Sequence, residues 1–173
     1  MVSQVILRLL KEAVVPAFLV IAAKMASIVL ILFVFQISWQ LTSDTVIPRL
    51  TFTSLDDFIL VSSWSGFLVI LAIASGLLWV IVKAHVFHDT HITPQLTLRL
   101  LSWDLISFLT TTVEVSHQAL VWLSFLWLLI FLSFTQAYLG YSYWWMAITS
   151  FALGTCLTWL FVADVEREIE IVS

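Results

Sequence analysis

Two apolar halves of this chain are separated by the polar stretch Val80-Ile-Val-Lys-Ala-His-Val-Phe-His-Asp-Thr-His-Ile-Thr-Pro94, which holds three of the four histidines. On both sides of it the sequence is too apolar for a soluble domain. Hydrophobic residues make up 62% and charged residues 10% of the 173 positions, whereas soluble domains have about 25% charged residues. The mean hydropathy of +1.10 therefore predicts an all-α integral membrane protein.

Each half is long enough for two membrane crossings. About 20 residues at 1.5 Å each span a hydrocarbon layer of roughly 30 Å. Four apolar segments predict a single transmembrane domain over residues 1–173, built as an antiparallel four-helix bundle: 14–39, 58–82, 108–136 and 144–163. Residues 83–107 are then a loop containing an interfacial helix, and residues 164–173 are an acidic tail. A five-span alternative, with Leu96–Val113 crossing alone, would bring Arg99 and Asp104 into lipid.

The N-terminal residues predict an amphipathic segment ahead of the first span. Within residues 2–13, apolar side chains recur at helical spacing, and polar or charged side chains fall between them. A helix of this kind can lie at the membrane surface. We expect it to continue into the first span, with Pro16 near the joint.

The cations predict the orientation of the chain. With four spans, both termini and residues 83–107 lie on one side of the membrane. That side collects most of the cations: Arg8, Lys11, Lys83, Arg99 and Arg167. The other side has only Arg49. Because cytoplasmic loops are enriched in Lys and Arg, both termini are predicted to be cytoplasmic.

Small residues form a stripe on each of two predicted spans. On the second span the members fall within an arc of about 120°: Ser62, Ser65, Gly66, Ala72 and Gly76. On the fourth span they follow steps of three and four residues: Ala147, Ser150, Gly154 and Thr158. Small side chains let helix backbones approach closely. We expect these two faces to form the main helix contacts, within the chain or with partner subunits.

The histidines suggest a metal site. His85, His88 and His91 are spaced i, i+3, i+6, and Glu114-x-x-His117 repeats the carboxylate and imidazole spacing of di-metal helical bundles. Antiparallel packing would bring both motifs to one side of the membrane. The set of His85, His88, Glu114 and His117 is therefore a candidate for metal or haem. Di-metal bundles need a second copy of the motif, which this chain lacks, so solvated interfacial histidines are the simpler interpretation.

Lys24 is an ionisable residue inside the first predicted span. Such a residue is costly in lipid and indicates a partner. Lys24 lies about ten residues past Val14, and Glu114 about ten past Asp104, so both are expected about 15 Å deep. We predict an intramembrane ion pair between Lys24 and Glu114, beside His117. The alternative is that Lys24 extends its amine to the headgroups.

The function that these patterns favour is a non-catalytic integral membrane subunit. Its expected partners are the lipid bilayer and other membrane subunits or copies of itself; the net charge of −4 argues against nucleic acid. No cofactor is expected, and no nucleophile elbow or phosphate loop indicates an enzyme. One alternative is a metal- or haem-binding electron-transfer subunit that uses the histidine cluster. Another is a small transporter or channel component with Lys24, Glu114 and residues 110–112 lining a polar path.

Overall fold

The computed structural model describes the main chain of residues 2–42, 49–87 and 112–172, and the side chains of residues 10–42, 50–83 and 117–166. The elements follow in this order: α1 (Val2–Val34), β1 (Trp39–Thr42), β2 (Arg49–Phe52), α2 (Leu55–Phe87), α3 (Thr112–Tyr138) and α4 (Trp144–Val172). The predicted interfacial helix between the second and third spans lies outside the described residues.

The described ranges contain four helices that are long and apolar enough to cross a membrane. The qualifying stretches are Leu10–Val34, Leu55–Lys83, His117–Tyr138 and Trp144–Glu166. This agrees with the predicted helical class and with the predicted four apolar helices. The five-span alternative depends on residues 96–111, which the structure does not describe.

Helix α1 is continuous from Val2 to Val34, so the amphipathic segment and the first apolar stretch are one helix. Pro16 lies in its interior and is buried, rather than in a first turn. The helix ends five residues before the predicted Trp39. Gln36 has a positive φ of 51°, and the amide of Ile37 donates to the carbonyl oxygen of Leu32 at 3.1 Å, which closes the helix.

A β-hairpin follows, in a region that the sequence suggested was an irregular loop. Strands β1 and β2 pair antiparallel, with Trp39 opposite Phe52 and Thr42 opposite Arg49. The hydroxyl groups of Thr42 and Thr51 lie 3.1 Å apart across the pair. Ser54 then begins α2, since its Oγ accepts a hydrogen bond from the amide of Asp57 at 3.1 Å. Helix α2 thus begins at Leu55, three residues before the predicted second span.

Helices α2 and α3 form the centre of the arrangement. Each of them packs against the other three helices, whereas α1 and α4 flank this central pair. Ile73, Leu77 and Leu126 are completely or almost completely buried between α2 and α3. A second, smaller cluster joins the end of α1 to the start of α2 through Ile31 and Val61. The burial is therefore concentrated on α2.

Candidate functional site

A polar contact inside the apolar helices joins Lys24 of α1 to Ser65 of α2. Lys24 Nζ donates to Ser65 Oγ at 2.7 Å. Ser65 is completely buried, and its own hydroxyl donates to the carbonyl oxygen of Ser62 at 3.3 Å. Ser65 can accept from Lys24 because its one proton is used on its own helix. The amine is thus held against α2 by a neutral oxygen.

This contact lies far from the ends of both helices. Lys24 comes ten residues before Val34, where α1 ends, and Ser65 comes ten residues after Leu55, where α2 begins. At 1.5 Å per residue each is about 15 Å from that end. Lys24 also lies fourteen residues after Leu10, where the apolar stretch of α1 begins, about 21 Å away. A lysine side chain is too short to bring its amine to either end.

A cavity of about 180 Å³ lies beside the contact, where α1, α2 and α3 meet. It is partly open to the outside, since Leu132, one of its lining residues, is 46% exposed. The complete lining is Val20, Lys24, Gly66, Val69, Ile70, Leu129, Leu132, Ser133 and Gln136. Gly66 lies beside the Gln136 side chain, whose Oε1 is 4.0 Å from the position that a Cβ of residue 66 would take, an ordinary contact distance.

The cavity holds a cation but no carboxylate within the described part of the chain. Lys24 has three N–H groups and gives one to Ser65. On the α3 side, Ser133 and Gln136 can each donate and accept hydrogen bonds, but neither carries a charge. Among the described residues, Lys24 has no partner besides Ser65. The electrostatic potential of the site is therefore positive, and an anionic group would be attracted to it.

The predicted ion pair between Lys24 and Glu114 stays a prediction, because the side chain of Glu114 lies outside the described part. The residues of α3 that line the cavity with Lys24 begin at Leu129, fifteen residues after Glu114 and about 22 Å along the helix. Within the described part, the hydrogen-bond partner of Lys24 is Ser65.

The predicted metal site falls mostly outside the described side chains. Of its four members only His117 has a described side chain, while His85 and Glu114 are described as main chain and His88 not at all. Gly76 contacts Trp122, and His85 follows Gly76 by nine residues while His117 precedes Trp122 by five. The main chain thus brings His85 and His117 to the same end of the α2–α3 pair. The metal site stays a prediction.

Both small-residue stripes contact helices of the same chain. On α2, a Cβ at Gly76 would lie 2.8 Å from Cε3 of Trp122 and closer still to two other ring atoms. On α4, the end of the Ile130 side chain occupies the space beside Gly154. On the same face, Thr158 Oγ1 accepts a hydrogen bond from Trp127 Nε1 at 3.1 Å. The other predicted packing residues are buried or half-buried: Ser62, Ser65, Gly66, Ala72, Ala147 and Ser150.

Sequence reasoning did not find the α3 side of the cavity. The sequence predicts both Ser133 and Gln136 at the end of the third span, without a role. A signal was present, because both are polar and lie three residues apart in an apolar segment, which places them on one face of a helix. Their proximity to Lys24 depends on how α1 and α3 pack, which the local pattern does not specify.

Comparison with protein-family models, with curated proteins and with solved structures found no match to this chain.

Proposed function

We propose that this chain is a non-catalytic integral membrane subunit that assembles with a second, different membrane protein. The observation that carries the proposal is the partly open cavity around Lys24. An ionisable group in the middle of apolar helices is costly in lipid and is normally directed toward a protein partner or water. A partner that covers the opening would remove the amine from lipid and supply the missing acceptors.

Insertion as an antiparallel four-helix bundle is supported by the four apolar stretches and by the aromatic residues at the α3–α4 turn. Tyr138 is 80% exposed, Trp144 52% and Trp145 50%. Exposed aromatic rings with a polar edge are typical of the membrane–water interface. This turn and the β-hairpin would then lie at the same interface, since Tyr141 and Phe52 both contact the ring of Phe58.

The orientation follows from the cations. In a four-span chain the termini share a side with Lys11, Lys83 and residues 88–111, whereas Arg49 is the only Lys or Arg in the segment 40–57 that contains the hairpin. The rule that cytoplasmic segments are rich in Lys and Arg supports cytoplasmic termini. The charge difference between the two sides is the evidence for this part of the proposal.

The surface that binds the partner is proposed to be the α1–α3 side around the cavity. The small-residue faces of α2 and α4, which the sequence suggested for docking, are filled by Trp122 and Ile130 of the same chain. These contacts within the chain favour the α1–α3 side over the faces around Gly76 and Gly154. The opening beside Leu132 combines exposed apolar surface with an unsatisfied cation.

The alternative functions stay predictions. The electron-transfer alternative needs His88 and the side chains of His85 and Glu114, and the transporter alternative needs residues 110–112; none of these side chains is described. Within the described residues, no group of three His, Cys, Asp or Glu side chains lies close enough to hold a metal ion.

The proposal is tested by extracting the protein from its native membrane with a styrene–maleic acid copolymer and measuring the particle by native mass spectrometry. We expect the 19.7 kDa chain together with a different polypeptide in a fixed ratio. A particle that contains one copy of this chain, or only copies of it, would contradict the proposal.

A matched pair of substitutions locates the surface. Leu132→Trp places a large ring at the cavity opening, so we expect it to lower recovery of the partner severalfold. Leu160→Trp makes the same change on α4, at a leucine that is 38% exposed, and should leave recovery unchanged. Equal recovery in both variants would place the interface elsewhere.

A further inference from the structure

We infer that the Lys24 cavity binds a carboxylate side chain carried by a transmembrane helix of the partner. This inference rests on the proposed function and adds the chemistry by which the partner is recognised. The site would be an intermolecular ion pair inside the membrane, with Lys24 as its cation.

Charge is the first argument. Lys24 Nζ is held by a neutral hydroxyl at 2.7 Å, and the described part of the chain provides no acid at this depth. The described carboxylates lie near the ends of the apolar stretches: Glu12, Asp56, Asp57, Asp164 and Glu166. A buried cation with no counter-charge is strongly unfavourable, whereas an oppositely charged partner with additional hydrogen bonds offsets much of that cost. The complementary group is therefore an anion.

The number of available donors favours a carboxylate as the anion. Two N–H groups of Lys24 remain after the bond to Ser65, and Ser133 and Gln136, whose side chains can also donate, line the same cavity. A carboxylate has two oxygens and about four acceptor positions. It can thus accept from the α1 side and from the α3 side together. Charge-assisted bonds of this kind are about twice as strong as neutral ones.

The volume fits a side chain. At about 30 Å³ per water molecule in the liquid, the cavity of about 180 Å³ has room for about six such volumes. That space suits one carboxyl group with its methylene groups and the waters that accompany it. It is far too small for a helix, so the helix itself must lie outside, against the opening.

Exposed apolar side chains near the cavity favour a helix as the carrier. Leu132, which lines the cavity, is 46% exposed; Leu128, one turn before it on α3, is 54% exposed, and Ile21, one turn before Lys24 on α1, is 65% exposed. Exposed apolar surface within one helical turn of a cation complements an apolar helix with a single acid. A free fatty acid keeps its carboxylate at the headgroup level, whereas Lys24 lies about 15 Å from the nearer helix end.

The test uses a defined probe in phosphatidylcholine vesicles. The probe is a 23-residue Leu/Ala peptide with one central Glu, and the control peptide has Gln at that position. The protein carries a donor dye on Cys156, which is exposed, and the peptides carry an acceptor dye. Energy transfer at increasing peptide density gives the relative affinity. We expect the Glu peptide to bind about tenfold more tightly than the Gln peptide.

Variants of the protein assign the preference to Lys24. Lys24→Gln keeps a donor toward Ser65 and removes the charge, so the tenfold preference should disappear. Lys11→Met removes a charge from an exposed position of the same helix and should keep the preference. Thermal unfolding in detergent shows that each variant is folded, and Lys24→Met serves as a second neutral variant if Lys24→Gln is not.

Three outcomes would overturn the inference. The first is equal binding of the Glu and Gln peptides. The second is a preference that survives in both neutral variants of Lys24. The third is displacement of the Glu peptide by oleate at equal membrane density, which would assign the site to a lipid carboxylate.

The failure of this inference is distinguishable from the failure of the proposed function. If the particle from native membranes contains a second polypeptide and Lys24→Gln does not lower its recovery, the ion pair is wrong while the subunit proposal stands. If the particle contains this chain alone and the Glu peptide still binds through Lys24, the site exists and the subunit proposal is wrong.

Discussion

Gly76 and Trp122 show at the residue scale why α2 and α3 approach closely. The indole ring lies where the Cβ of any other residue at position 76 would be, and its Cε3 is 2.8 Å from that position. Trp122 is 5% exposed and is packed into the main apolar cluster, so the ring has little room to move. The glycine is required by this contact.

Gly76→Ala is therefore expected to lower the free energy of unfolding by about 1–3 kcal/mol, because the ring must shift within a packed cluster. The measurement is unfolding in dodecyl maltoside with increasing SDS, followed by circular dichroism. Gly66→Ala is the matched control on the same helix, since its nearest contact is 4.0 Å away, and it should cause no loss. If Gly76→Ala and Gly66→Ala are equally stable, this packing contact is wrong.

Gly154→Ala should cause a smaller loss, of about 1 kcal/mol or less. The atom that its Cβ would meet is Cδ1 of Ile130, the end of a flexible side chain, and alanine also favours the helix more than glycine does. In the background of Ile130→Val, which lacks that methyl group, the loss should disappear. A double-mutant cycle in the same SDS titration measures this coupling; an additive result would show that residues 130 and 154 do not interact.

The small-residue faces could be predicted from the sequence, but the side chains that pack against them could not. Angular position alone placed Gly76 and Gly154 on helix faces suited to close packing. The partners of these faces depend on which helices become neighbours and at what height. Trp122 and Ile130 had no local feature that distinguished them from other apolar residues of their helix. For the same reason the neutral partner of Lys24, Ser65, was assigned only to packing.

At the scale of elements, the turn between α3 and α4 is determined by Gly140. Its φ is +77°, in the left-handed region that glycine adopts without strain. The amide of Tyr141 donates to the carbonyl oxygen of Gln136 at 2.8 Å, and the amide of Gly140 donates to that of Ala137 at 3.1 Å. These two bonds form the Schellman motif that ends many helices.

Gly140→Ala is expected to lower the free energy of unfolding by about 1–2 kcal/mol, the cost of a left-handed conformation for an ordinary residue. Steric overlap does not contribute to this loss, because an added Cβ would have no neighbour within 4 Å. Gly140→Asn should cost less, since asparagine tolerates this conformation better. Equal stability of the Ala variant and the unsubstituted protein in the SDS titration would contradict the assigned turn.

Ser63 connects α2 to the start of α4. Its hydroxyl donates to the carbonyl oxygen of Ile59 at 2.6 Å and accepts from the amide of Tyr143 at 3.1 Å. Ser63→Ala should cost about 1–2 kcal/mol, because a buried amide loses its acceptor. Ser75→Ala is the control, since Ser75 is exposed and bonds only within its own helix. Similar unfolding midpoints for both variants would rule out this connection.

The presence of the long helices could be predicted from the length of the apolar segments. Most of the helix ends and the β-hairpin could not. Strands of four residues are too short to give a clear alternating pattern among polar neighbours. The end of α1 was placed at Trp39 because the apolar run continues to it, but the helix ends where Gln36 takes a positive φ. The start of α2 was predictable because Ser54 and the two following acids are a local signal.

At the scale of the whole molecule, the helices pack as a central pair with a flanking helix on each side. Apolar composition was enough to predict the number of long helices within the described ranges, because length and hydropathy are additive along the chain. It did not specify that α2 and α3 take the centre. The central position of α2 and α3 depends on the fit of Trp122 against Gly76 and of Ile130 against Gly154. The same arrangement of helices leaves the cavity beside Lys24.

The central proposal is that the chain crosses the membrane four times, with the hairpin and the α3–α4 turn on the side opposite to the two termini. The most direct measurement labels single cysteines in intact cells with a membrane-impermeant maleimide, in a background where Cys156 is replaced by Ser. Gln40→Cys in β1, an exposed position, should be labelled from outside the cell. Ser173→Cys should be labelled only after the cells are opened. Labelling of both cysteines from the same side would mean an even number of crossings between them instead of the three that the account predicts, and would contradict the four-span account.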